Sequence, residues 1–347
     1  MNQYKIKIEL LSPLGTRLMA DTIWGHICYG ILFSEGEEKL NEFLQNYKDS
    51  KPPLVLSTPF PEGKIPLPKI LHQKSNDTSS QIEMNLEEYR KLKRKKKIKY
   101  LNYESLVNQN PIDLDSLIEK EIEKEDKKED KKEDKKEGCC KIESVDENRI
   151  HNVIDRVKGT TSSDSLFQTE EYWCLKVKEK NNIKKYDFPI FEIYVLSIYD
   201  KDCTLNLFKN GIENGYGADS SVGKGIIKVK SIEDIDLPKD GNIAMALAPF
   251  VLFEDEYNQL DENYGLLADI WTKYPKVHNS LKDMTNPFKK PIVFYKEGAT
   301  IKFKDKNDKK PLYLGKCLKN IHHLPYVMQY SITPLLWLNL KIKESQL

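Results

Sequence analysis

One twelve-residue stretch constrains this chain more than any other: Asn214-Gly215-Tyr216-Gly217-Ala218-Asp219-Ser220-Ser221-Val222-Gly223-Lys224-Gly225. Glycine reaches φ > 0 without steric cost and lets a bulky ligand approach the main chain. Successive free N–H groups in such a turn form an anion-binding concavity. Ahead of it, Phe188-Pro189-Ile190-Phe191-Glu192-Ile193-Tyr194-Val195-Leu196 has the composition of a strand, and Ile226-Ile227-Lys228-Val229-Lys230 after it has the same. The stretch reads as a phosphate-holding loop between two strands of one sheet. The plainer alternative is a glycine-rich connection.

Two nucleotide-binding patterns fail on spacing. A phosphate loop of the Walker type needs four residues before Gly-Lys and then a hydroxyl side chain. Here five residues separate Gly217 from Gly223, and Gly225 occupies the hydroxyl position. A dinucleotide fingerprint needs a third glycine opening a helix, but Ser220 stands there and a strand follows. No cofactor is expected.

The flanking chain supplies the frame. Tyr4-Lys5-Ile6-Lys7-Ile8-Glu9-Leu10 alternates as a half-buried strand, and Ser12-Pro13-Leu14-Gly15 turns the chain. Asp21 is expected to cap a helix whose apolar face includes Ile23, Trp24, Ile27 and Ile31. His26 reads as a packed or surface histidine. Residues 200–211 read as a helix running into the glycine loop. The order β-α-β…β-α-β is the ferredoxin-like unit. A second strand-rich unit begins at Asn242. The expectation is an α+β chain of two ferredoxin-like (RRM-like) domains. Residues 1–235 form the first, with a thumb and insertion at about 72–165, and residues 236–347 form the second.

Three polar tracts lie inside the first unit. Residues 89–100 place eight basic side chains among twelve, and 119–137 hold ten acids and eight lysines, with Glu-Asp-Lys-Lys three times in tandem. The second tract has one apolar residue, Ile122, and cannot bury a core. It reads as a disordered or singly helical insertion, and 119–137 is taken as disordered. Like charges at i,i+4 destabilise a helix, so the basic run suggests a nearby phosphate backbone. The third tract, 147–161, is dense in Asn, Arg, Asp and hydroxyls. Its functional reading places Arg156 and Lys158 on phosphates and Asn152 on a base edge or backbone. Its structural reading is a turn with Asp155 paired to Arg156. Phe167 after it reads as a strand residue, with base stacking as the alternative.

The net charge of +1 becomes +3 without 119–137, compatible with a polyanionic partner. The six cysteines (28, 139, 140, 174, 203 and 317) form no CxxC pair. That argues against a structural metal and suits a reducing, cytoplasmic setting. No apolar run approaches the ~20 residues needed to span a bilayer, and Met1 leads straight into a strand, so no membrane association is expected.

Several of these motifs together resemble the RAMP superfamily. They are Ser12-Pro13-Leu14-Gly15-Thr16 with Ala20-Asp21-Thr22-Ile23-Trp24-Gly25-His26, Leu56-Ser57 with Phe60-Pro61 and Pro66-Leu67-Pro68, Asn152-Val153-Ile154-Asp155-Arg156 with Gly159, and the glycine loop. Within that superfamily the chain is most similar to the family of the fourth Csm subunit of type III-A CRISPR effector complexes. Met245-Ala246-Leu247-Ala248-Pro249-Phe250 resembles that family's second domain. The resemblance implies a scaffold with no catalytic residue. It would cap the crRNA 5′ handle and bridge the large palm-domain subunit to the backbone RAMP subunit. Carried over, the RNA-binding residues are Gly215, Tyr216, Gly217, Ser220, Ser221, Gly223, Lys224 and Gly225, with Asn152, Asp155, Arg156, Lys158 and Arg17. The charged insertion departs from the family pattern.

Two other readings stay open. The RNA-cleaving backbone subunit of the same complexes carries a catalytic aspartate in an early glycine-rich loop. This chain has no acid between Ser12 and Asp21. A metal-independent guide-processing endoribonuclease would need a general base, for which His26 and His151 are the candidates.

Overall fold

The computed structural model describes residues 1–70, 86–130, 139–152, 154–161, 166–180, 183–277, 286–304 and 310–341. Residues 71–85 and 131–137 of the expected insertion, and Val153 of the RAMP-like motif, lie outside this set.

Strand β1 (Asn2–Leu10) buries Tyr4, Ile6, Ile8 and Leu10 on one face, as its alternation requires. Lys5 and Lys7, on the other face, meet the carboxylate of Glu192 at 3.4 and 3.8 Å. Helix α1 (Ala20–Glu35) and helix α2 (Glu37–Lys48) follow, then strand β2 (Leu54–Leu56). The chain next makes a long excursion through helix α3 (Leu86–Lys97), helix α4 (Leu114–Asp130) and two long strands, β3 (Cys139–His151) and β4 (Phe167–Lys180). It re-enters the first sheet with β5 (Ile190–Ser197), helix α5 (Lys201–Ile212) and β6 (Ile227–Asp234). Asp200 caps α5, its carboxylate accepting from the Cys203 N–H at 2.8 Å. The antiparallel spatial order is β6-β1-β5-β2. Helices α1 and α5 cross where glycine replaces a side chain. A Cβ on Gly30 would meet the Asn210 backbone at 2.8 Å, and one on Gly211 the Ile27 Cα at 2.9 Å.

The second sheet runs, in space, Leu266–Leu267, β8 (Thr300–Ile301), β7 (Ile243–Ala246), β9 (Thr333–Leu338) and Tyr313–Leu314. Among the described residues after 236 the one helix is Glu254–Tyr257. The two packed helices that a second ferredoxin-like unit would carry are not present there. The sheet is covered instead by the first unit: Met245, Leu247, Leu336 and Leu338 share one apolar cluster with Ile8, Ile27 and Leu56. The Tyr330 hydroxyl accepts the Leu56 N–H at 2.8 Å within that shared core.

Two local expectations change. Asp21 is not a cap: Met19 occupies the N-cap position, and Asp21 in the first turn binds Lys273 at 2.5 Å and Gln329 at 2.6 Å. It ties α1 to the second unit because both partners there are cations or N–H donors. The charged tract taken as disordered is helical as far as Asp130. Leu114, Leu117 and Ile118 upstream are buried and Ile122 packs beside them, so a docked apolar stripe carries the helix into the tract.

Candidate nucleic-acid interface

The glycine loop joins α5 to β6. Its backbone turns through positive φ at Gly215 (109°), Gly217 (74°), Asp219 (60°), Gly223 (94°) and Gly225 (68°). Between them Ser220–Val222 makes one 3-10 turn. The innermost position is Gly225, where a Cβ would lie 1.9 Å from the Tyr216 carbonyl oxygen. Only glycine fits, and the Tyr216 N–H donates to the Gly225 carbonyl at 2.9 Å across the same closure.

Tyr216 is the plug of this loop. Its side chain is wholly buried, its hydroxyl accepts from the Met19 N–H at 3.0 Å, and it donates to the Arg17 carbonyl at 2.9 Å. Burial pushes its phenol well above the ordinary tyrosine range. Tyr216, expected among the RNA-binding residues, is therefore corrected: its ring faces the core and lies 5.2 Å from His26, tilted by 33°. His26 Nε2 accepts the Gly217 N–H at 2.9 Å, which requires that nitrogen to be unprotonated. The Ala218 N–H donates to Thr16 Oγ1 at 3.0 Å, and the Gly225 N–H to the Pro13 carbonyl at 2.8 Å. The Ser12–Thr16 signature is thus the cradle of the glycine loop. The loop amides expected to hold phosphate are spent in part on this cradle.

Lys224 is also corrected. It is 5% exposed, and its ammonium contacts Asp219 at 2.9 Å, Thr169 Oγ1 at 3.1 Å and Glu171 at 3.4 Å. A lysine desolvated and shared among these acceptors is a clip, not an open phosphate ligand. The parts of the loop that face outward are Ser220, Ser221, Val222 and Gly223.

Beside the clip runs a long ribbon, extending past the expected bounds of the insertion to Lys180. Strands β3 and β4 pair continuously from Cys139↔Glu179 to His151↔Phe167, which makes a two-stranded ribbon roughly 40 Å long. Its base, where residues 146–149 face residues 169–172 a few residues short of Phe167, is fastened to the first unit at several points. Leu14 and Tyr172 exchange backbone hydrogen bonds at 3.0 and 2.9 Å. The Arg17 guanidinium lies 4.6 Å from the Tyr172 ring centre and binds Asp146 at 2.8 Å. Glu171, itself buried, meets Lys224 and Arg149 at 3.4 Å each. A smaller turn, Ile154–Asp155 against Thr160–Thr161, finishes the tip around Gly159 at φ 64°.

The ribbon's far end carries exposed apolar side chains: Ile150, Ile154, Val157, Leu166 and Phe167, with Val157 95% exposed. Phe167 is stacked on His151 at 5.1 Å and 11°, not packed under a sheet. His151 Nε2 also contacts Thr169 Oγ1 at 2.9 Å. Asn152 is exposed, with its amide 3.4 Å from Thr161 Oγ1. Arg156 and Lys158 are exposed near the tip, and Asp155 is described by its backbone alone. The structure therefore divides the expected residues. Asn152, Asp155, Arg156 and Lys158 gather at the tip, Arg17 stands at the base, and Gly215, Tyr216, Gly217, Lys224 and Gly225 build the loop's interior. The signal for the ribbon was weak because neither strand alternates cleanly: most of β3 from 145 onward is exposed. Among the described residues no group of three or more His, Cys, Asp or Glu is placed to hold a metal, and no helix is long and apolar enough to cross a membrane.

No protein-family model matches the sequence, and no curated protein matches it. Solved structures do. A chain of the Csm3-Csm4 subcomplex of the type III-A CRISPR-Cas interference complex superposes with a TM-score of 0.53 and 15% identity, over 98% of this chain and 100% of that one. A chain of the Csm1-Csm4 cassette in complex with pppApA gives 0.49 and 15%, over 98% and 100%. A chain of the type III-B Cmr-beta complex bound to cognate target RNA and AMPPnP gives 0.44 and 16%, over 86% of each. At such identity the likeness is one of fold. The chain shares its fold with a chain of that Csm3-Csm4 subcomplex over nearly its whole length.

Proposed function

We propose that this chain is a non-catalytic, RNA-binding subunit of a type III CRISPR interference complex. In this reading it binds the 5′ handle of crRNA and bridges the large palm-domain subunit to the backbone RAMP filament. The carrying observation is the fold shared end to end with a chain of the Csm3-Csm4 subcomplex. The first sheet, with its β-α-β-β-α-β connectivity, is read as the ferredoxin-like RAMP domain, and the ribbon as its thumb.

The site chemistry supports a binder. Single-stranded RNA is held by cations at phosphates and by stacking or edge bonds at splayed bases. The tip offers Arg156 and Lys158 for phosphates, Asn152 for an edge or backbone, and the exposed Phe167 ring as a stacking surface. Ser220, Ser221 and Gly223 add an exposed backbone edge beside the ribbon's base. His26 is engaged as the acceptor that seats the glycine loop, which gives it a positional role.

The test is to affinity-purify the protein from its host and identify what accompanies it. The expected result is guide RNA with one common 5′ end, together with a large subunit and a backbone subunit. Protein recovered without RNA and without those subunits refutes the reading. Metal-independent cleavage of a repeat-containing transcript, lost in His26→Ala or His151→Ala, would overturn the non-catalytic assignment.

A further inference from the structure

The basic helix α3 is not absorbed by the ribbon or the glycine loop. Residues 90–99 contain Arg90, Lys91, Lys93, Arg94, Lys95, Lys96, Lys97 and Lys99. Arg90 and Arg94, Lys91 and Lys95, and Lys93 and Lys97 stand four apart, a spacing at which like charges destabilise a helix. Its neighbour supplies part of the compensation. Helix α4 is docked through Leu114, Leu117 and Ile118, and its Glu119 binds Lys95 at 3.1 Å. Glu121 binds Lys64 at 2.8 Å, on the strand Lys64–Pro66 that pairs with Tyr100–Asn102 just after α3. Ile98 is half-buried against the core. One side of the basic segment is therefore fastened down.

The other cations are left outside. Arg90, Lys96, Lys97 and Lys99 are exposed and make no ion pair among the described residues. Arg90 and Lys97 are seven residues apart and so share a face about 10 Å long. Between 90 and 97 the sequence holds one apolar residue, Leu92, among seven cations. Protein hot spots centre on buried aromatic or apolar anchors with charges around them, whereas a phosphate backbone needs only positive charge. An amphipathic membrane helix also needs an apolar face. Seven cations against one leucine favour a nucleic-acid backbone held without reading its bases.

We infer that helix α3 is a second RNA-backbone surface, separate from the ribbon tip and indifferent to RNA sequence, with α4 fixing its orientation. The inference does not rest on handle recognition. Its probe is accordingly a fluorescein-labelled 20-nucleotide oligouridine, which carries no handle, titrated against the full chain at several salt concentrations. Replacing Arg90, Lys96, Lys97 and Lys99 together by Gln should lower the slope of log K against log salt by about 2 to 3, at about 0.7 per contact. The loss should add to that of Arg156→Gln with Lys158→Gln. Unfolding midpoints should be retained, since all four side chains are exposed. A fall below about 0.7, less than one contact, overturns the inference. If guide RNA still co-purifies from the host in that case, the subunit reading stands alone. Loss of binding to phosphatidylserine vesicles with oligouridine binding intact would assign the helix to an anionic lipid surface and overturn it as well.

Discussion

Replacing Lys224 with Met should destabilise the fold by about 3 kcal/mol and leave the salt dependence of RNA binding unchanged. The ammonium stands 3.4 Å from Glu171, with side-chain exposures of 6% and 2%. At that distance and an effective dielectric constant near 20, the gross attraction is about 5 kcal/mol. Breaking a buried pair by removing one member costs about 3–5 kcal/mol, because the survivor is left charged and desolvated. Two features place this case at the low end. Arg149 also lies 3.4 Å from Glu171, but its side chain is 65% exposed and compensates weakly. Asp219, at 38% exposure, can rehydrate once the lysine is gone. Urea unfolding of Lys224→Met, Glu171→Gln and the double variant measures the pair directly. The coupling should be about 2 kcal/mol, above the ~0.5 kcal/mol scatter of independent sites. Hydrogen exchange in β4 near Glu171 should accelerate in the Met variant, since the ribbon's base loses its clip. A cost below about 1 kcal/mol, or additive singles, refutes the clip. A salt slope lowered by about 0.7 would instead restore Lys224 as a phosphate contact.

Further outcomes follow from neighbouring geometry. Tyr216→Phe leaves the Met19 N–H and the Arg17 carbonyl without their partner and should cost about 1–3 kcal/mol in urea unfolding. Gly225→Ala drives a methyl to within 1.9 Å of the Tyr216 carbonyl and should sharply lower the melting temperature. Gly223→Ala meets nothing within 4 Å and should cost only the backbone strain, about 1–2 kcal/mol. Burial lowers the Lys289 ammonium to about 8. Above that value the folded chain holds fewer protons than the unfolded one, so stability rises with pH. From pH 8 to pH 9 the gain from this group is about 1 kcal/mol, and Lys289→Met should remove that slope.

Much of the frame was legible because its causes are local. The alternation from Tyr4 to Leu10 places four apolar side chains on one face, and β1 buries those four. The glycine loop was legible as a turn between a helix and a strand, since glycine stands at four of its five left-handed positions. What lay inside that turn was not. Tyr216 and Lys224 look exposed beside so many glycines, yet each is claimed by a partner distant in sequence: Met19 and Arg17 for one, Glu171 for the other. The ribbon was hidden for a related reason. Exposed from Val145 to Ile150, β3 needs no apolar alternation there and read as an irregular polar tract. The second sheet's cover, which comes from the first unit's core, left no local pattern in residues 236–347 by which to read it.

These corrections change what the glycine loop is for. A phosphate cradle would present its amides and its lysine outward, but here the Gly217, Ala218 and Gly225 amides bind His26, Thr16 and Pro13. The lysine reaches sideways to Thr169 and Glu171 on the ribbon. The loop is thus a hinge plate: one side is seated on the Ser12–Thr16 turn, the other grips the ribbon's base. The grip at Thr169, Glu171 and Tyr172 lies two to five residues from Phe167, roughly 7–17 Å along the strand, so looseness there passes directly to the exposed tip. The glycines, the buried tyrosine and the shared carboxylate of Glu171 keep the grip rigid. Substitutions in the loop should therefore blur the position of Asn152, Arg156 and Lys158 without removing a single phosphate contact. Loop and tip variants can be told apart by salt: the first should change affinity at constant slope, the second should change the slope itself.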